Sequence, residues 1–148
     1  MLALLNHPWL IEQRCEEIAG LELTYQPLTA LKSALLDIVT AGTNSADTPL
    51  DASRLHTHLT SLGLDVIAGQ VARAVTHSGD RFAAAGAEPV VVEQGWRHAV
   101  ALHNRHVELQ RALEAAERAY QLDQSEENFR RQTELKAMQS ERLDVEQA

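Results

Sequence analysis

The chain has 148 residues, of which 45% are hydrophobic, 23% charged and only 4% aromatic. That is the make-up of one globular domain whose core rests on leucine and alanine, and it excludes a chain disordered throughout or one that depends on disulfides. Twenty-one acids against thirteen bases leave a net charge of −8, and the acidic excess runs through both parts: ten acids to five bases in residues 1–88, eleven to eight in residues 89–148. Such a surface repels phosphate, so direct nucleic-acid binding is not expected. The single cysteine, Cys15, has no internal disulfide partner and fits a reducing compartment. No apolar run approaches the roughly 20 residues of a membrane span, and no basic stretch precedes a cleavable signal. The expectation is a soluble, cytoplasmic protein that does not engage a membrane.

A first short helix stops at Asn6 and His7, and Pro8 opens a second, in whose first turn its missing N–H costs nothing. Trp9, Leu10, Ile11, Cys15, Ile18 and Ala19 recur along it at helical spacing as far as Gly20, so one face is buried. Pro27 begins a third helix carrying Leu28, Leu31, Leu35, Leu36 and Ile38 to Val39, and the turn formers from Thr40 to Thr48 predict a surface loop. Asp51 caps a fourth helix with Leu55, Leu59 and Leu62, which Gly63 closes in a left-handed conformation. A fifth follows at once. Its nearly continuous Leu64, Val66, Ile67, Val71, Ala74 and Val75 predict the most buried element of the fold. His77 to Ala87 reads as a loop with one helical turn.

From Pro89 to Leu122 nothing breaks the helical pattern except Gly95, so one helix of 34 residues is predicted. It would be about 51 Å long, against a diameter of roughly 38 Å for a compact chain of this size. Its C-terminal part is therefore expected to project. There Leu102, His106, Leu109, Leu113, Ala116 and Tyr120 alternate by four and three as a heptad seam. Asp123 to Ser125 makes a turn, and Ser125 caps a last helix whose Glu126 and Glu127 favour the positive end of its dipole. Phe129, Leu135, Met138 and Leu143 of that helix are expected to cover the seam as an antiparallel hairpin. The predicted fold is all-α: a helical bundle over residues 1–100, then a hairpin over 101–148, joined by the long helix 89–122.

Catalytic and cofactor patterns are missing. No glycine-rich phosphate loop occurs, and Lys32 and Lys136 are the only lysines. No HExxH motif places two histidines and a glutamate together on one helix. Glu16–Glu17 and Glu126–Glu127 are sequence neighbours on helices, so their side chains diverge and read as solvated faces. His98, His103 and His106 share the long helix, but His103 and His106 lack an acidic partner on the right face, and His106 lies on the seam, which predicts a packing role. His56 and His58 face apart. Cys15, on the apolar face of the second helix, is expected as a small core residue. Gly95 is either a kink or a point of close packing beside Trp96, and close packing is the favoured reading. No cofactor and no metal is expected.

The stretches LALLNHPWLIEQRCEEIAGLEL (2–23), PLTALKSALLDIV (27–39), LHTHLTSLGLD (55–65) and EENFRRQTELKAMQSERL (126–143) resemble the C-terminal region of bacterial DnaG-type DNA primase. The NHP turn after a short apolar helix is the most telling piece. The resemblance implies a non-catalytic domain of a longer protein: a bundle that stimulates the replicative helicase DnaB and a hairpin that docks on the helicase N-terminal domains. The family's zinc-binding domain and acidic polymerase core have no counterpart, so primer synthesis is not expected of this chain. A two-helix hairpin has one interface and cannot bury both sides of its apolar residues. Tyr120, Leu122, Phe129, Leu135 and Met138 are therefore the expected contact residues, with Arg130 and Arg131 as ion-pair donors, on a chain monomeric by itself. Two other readings are a helical metal-binding protein using the long-helix histidines and the related N-terminal domain of the helicase.

Overall fold

The computed structural model describes residues 1–42, 48–74 and 78–147, the side chains of 78, 79, 146 and 147 apart. Val75, His77 and residues 43–47 of the expected loop lie outside the described residues. The fold is all-α, with no strand among the described residues: α1 (Leu2–Asn6), α2 (Pro8–Gln13), α3 (Cys15–Ala19), α4 (Gln26–Gly42), α5 (Ala52–Ser61), α6 (Asp65–Ala74), a 3-10 segment (Ser78–Ala83), α7 (Pro89–Leu122) and α8 (Glu126–Gln147). The chain divides into two compact units, Met1–Val100 and Ala101–Ala148, and α7 runs unbroken through the division.

Local sequence signals account for most helix ends. Asp51 accepts a hydrogen bond from the Arg54 N–H at 2.8 Å, satisfying one orphan donor of α5. Gly63 has φ +71°, and the N–H of Leu64 then reaches back to the Leu59 carbonyl at 2.8 Å. Lys32 Nζ donates to the Leu21 and Ala19 carbonyls at 2.8 and 3.2 Å, supplying the end of α3 with a cation. Three expectations need correction. The second helix is broken at Arg14 (φ −123°, ψ 23°), whose guanidinium donates to Glu93 of α7 at 3.2 Å. The loop expected from Thr40 begins later, because α4 continues through Gly42.

The third correction concerns α6. It was expected to be the most buried element, yet none of its described side chains is fully buried, and Val66 is 60% exposed. Ile67, Ala68 and Val71 lean on the core from one side only. Ala68, Gly69 and Ala72 are too small to close the space against Leu2, Leu5 and Leu55, and a cleft of about 300 Å³ stays open there. The core instead belongs to Leu4, Leu10, Ile11, Ile18, Leu31, Leu35, Leu55 and Val92, all fully buried. Each such side chain contributes about 1.5–3 kcal/mol of transfer free energy.

Polar contacts fix the rest of the first unit. Asn6 Nδ2 donates to the Ala83 carbonyl at 2.7 Å, and the ring of buried His7 bonds the Ala84 carbonyl through Nε2 at 2.8 Å, tying the NHP turn to the end of the 3-10 segment. Gly95 is indeed a point of close packing, but its neighbour is Phe82: a Cβ at Gly95 would overlap Cβ and Cγ of that ring. Trp96 is buried, and its indole N–H donates to the Glu17 carboxylate, so Glu17 is not merely a solvated face as its sequence position suggested. Cys15 is half-buried and stands outside the core cluster, contrary to expectation, since the break at Arg14 alters the face it presents.

Candidate functional site

The second unit pairs the C-terminal part of α7 with α8 as an antiparallel hairpin. The rings of Tyr120 and Phe129 meet near the turn with centroids 5.8 Å apart, Lys136 pairs with Glu117 at 3.4 Å, and Arg142 donates to the Leu102 carbonyl at 2.8 Å. The turn is closed by Asn128, whose amide donates to the Asp123 carbonyl at 2.9 Å, while its backbone N–H faces Ser125 Oγ at 3.4 Å. Ser125 thus caps α8 as its sequence predicts.

The α7 side of the seam is as expected: Leu113 and Ala116 are buried, with His106, Leu109 and Tyr120 half-buried. Leu102, the first seam residue, is 39% exposed. The α8 side is different. Its half-buried positions are Asn128, Gln132, Leu135, Gln139 and Arg142, which recur by four and three and so form the stripe facing α7. Phe129, Met138 and Leu143, expected to cover the seam, stay 54%, 57% and 47% exposed, and no described side chain of α8 is buried. The reason lies in their spacing. Steps of six, three and five residues scatter these side chains to both sides of the helix, whereas the polar stripe keeps one face and finds partners there for Asn128 and Arg142.

That rotation opens a cleft along one flank of the hairpin. Arg105, Glu108, Leu109 and Ala112 of α7 line it together with Leu135, Met138 and Arg142 of α8, around about 460 Å³. Its walls are aliphatic, and its charges gather toward the end where Arg105 and Arg142 lie. Of the seven expected contact residues, Leu135 and Met138 therefore meet in one place. Arg131 is exposed and lies two turns before Met138, on the same flank of α8. Tyr120 is half-buried against Phe129 at the turn. Leu122 is 90% exposed; nine residues beyond Leu113, it points about 180° away from the seam. Arg130 is exposed on α8 outside the cleft. Sequence reasoning missed Arg105, Glu108, Ala112 and Arg142, because their convergence depends on the rotation of α8, which its own residues leave ambiguous.

Among the described residues no three His, Cys, Asp or Glu side chains converge where a metal could be held. His98 is exposed, while His103 and His106 are half-buried along α7. Among the described residues no helix is long and apolar enough to cross a membrane. Comparison with protein-family models, with curated proteins and with solved structures found no match.

Proposed function

We propose that this chain is a protein-interaction module without catalytic activity of its own, equivalent to the C-terminal domain of a bacterial DnaG-type primase. In this reading it binds the N-terminal domains of the replicative helicase DnaB, brings primase to the replication fork in the bacterial cytoplasm and modulates the helicase. Its first unit corresponds to the stimulating bundle, and its second to the docking hairpin. The observation that supports the reading best is the hairpin's incomplete burial: Phe129 and Met138 both remain more than half exposed, Met138 beside a mostly aliphatic cleft and Phe129 on the other flank of α8. Partly exposed large side chains next to a groove are the kind of anchor on which helix-to-helix recognition depends. The net charge of −8 is consistent with a partner that is protein rather than nucleic acid.

The test is titration calorimetry of the whole chain against the isolated N-terminal domains of the cognate helicase. Saturable binding is expected, weakened about 30–1,000-fold by a combined Phe129→Ala and Met138→Ala change, which removes two anchors of about 1–2 kcal/mol each. Circular dichroism should show the variant as helical as the parent. Absence of binding by the unaltered chain would refute the reading.

A further inference from the structure

On the premise that the hairpin is the docking element, we infer that its cleft is completed by one amphipathic helix of the partner, which inserts a large aliphatic side chain among Leu109, Ala112, Leu135 and Met138 and sets a carboxylate against Arg105. Two helices with a polar stripe on one of them bury little: Leu113 and Ala116 are the buried hydrophobic residues of this unit, and α8 contributes none among its described residues. A third helix laid along the open flank turns the pair into a three-helix bundle, the arrangement in which a one-sided apolar stripe finds cover. Mostly aliphatic walls with the charges gathered toward one end suit an apolar side chain flanked by a charged one better than a small polar ligand, although the volume of about 460 Å³ would admit either.

Charge decides what kind of helix. The cleft is lined by two arginines and one glutamate. Arg142 already donates to the Leu102 carbonyl, whereas Arg105 is exposed and forms no ion pair with a described residue. Glu108 stands one turn further along the same helix, so an acid on the incoming helix is attracted at the Arg105 end and repelled toward Glu108. That polarity sets both the sign of the partner's charge and where along its helix the charge falls. A basic helix would meet the opposite field.

Calorimetry with the helicase N-terminal domains, using the full chain, tests this through four variants. Arg105→Gln should raise Kd about 2–5-fold, the range of one exposed ion pair. Arg105→Glu should raise it by about 10-fold or more, since it places like charges together. Glu108→Gln should lower Kd about 2-fold, a gain that no folding defect can imitate. Met138→Ala should weaken binding through the apolar wall alone, and added salt should act on the parent chain but not on Arg105→Gln beyond the background. Wild-type and Met138→Ala binding that differ as expected, with Arg105→Glu unchanged or tighter, would overturn the inference and leave the functional reading standing. Failure of the unaltered chain to bind would overturn both. Dimerisation of the chain alone, lost in Met138→Ala, would also overturn it by assigning the cleft to a second copy.

Discussion

Gly95 offers a test in which helix propensity and tertiary packing predict opposite signs. By propensity alone, Gly95→Ala inside a 34-residue helix should stabilise the protein by about 0.5–1 kcal/mol, since glycine is a poor helix former. In the folded chain the new methyl would fall on Cβ and Cγ of Phe82. Those atoms lie at the root of the ring and not at a flexible end, so relief requires moving the 3-10 segment that Asn6 and His7 tie to the first turn of the fold. Forcing a methyl into packed surroundings costs about 1–3 kcal/mol, which outweighs the propensity gain and leaves a net loss of about 0.5–2 kcal/mol. For a unit of this size that is a fall in Tm of about 2–8 °C, readable by thermal and urea denaturation. In a Phe82→Ala background the ring is gone and the segment can recede, so the cost of Gly95→Ala should shrink by at least about 1 kcal/mol. A Gly95→Ala protein as stable as the parent, or more so, would refute the packing argument.

Two stability predictions follow from burial. Leu113→Ala should destabilise the hairpin by about 2–4 kcal/mol, seen as faster hydrogen exchange in α8, because it empties one of the few buried sites of that unit. Leu122→Ala, at a position 90% exposed, should alter stability by less than about 0.5 kcal/mol by urea denaturation. Burial lowers the pKa of the Met1 amino group from its ordinary 8.0, with Asp80 partly opposing the shift. A base whose folded pKa is depressed gives its full contribution above the unfolded value, and that contribution is lost as pH falls through the folded value. In a chain with a free amino group at Met1, the urea midpoint relative to an N-acetylated chain should therefore decline as pH falls from above the ordinary 8.0 through the lowered folded value. A difference that does not vary with pH would show that the amino group carries no such burden.

Several helix ends, though not the break at Arg14 or the end of α4 at Gly42, were legible in the sequence because the forces that set them act within a turn. Pro8 at the start of α2, Asp51 before α5, Gly63 after it and Ser125 before α8 each satisfy or spare backbone groups that lie three or four residues away. The length of α7 belongs to the same class, since nothing between Pro89 and Leu122 disrupts the hydrogen-bond ladder. Tertiary structure alone decided the break at Arg14, the exposure of α6, the partner of Gly95 and, above all, the rotation of α8. A helix turns about its axis to suit its neighbours, and its own sequence determines that angle only when its apolar residues share one face. In α8 they do not: Phe129 and Leu143 fall to one side of the polar stripe and Met138 to the other. Packing against α7 therefore chose which side became the cleft, and so which arginine stands beside it.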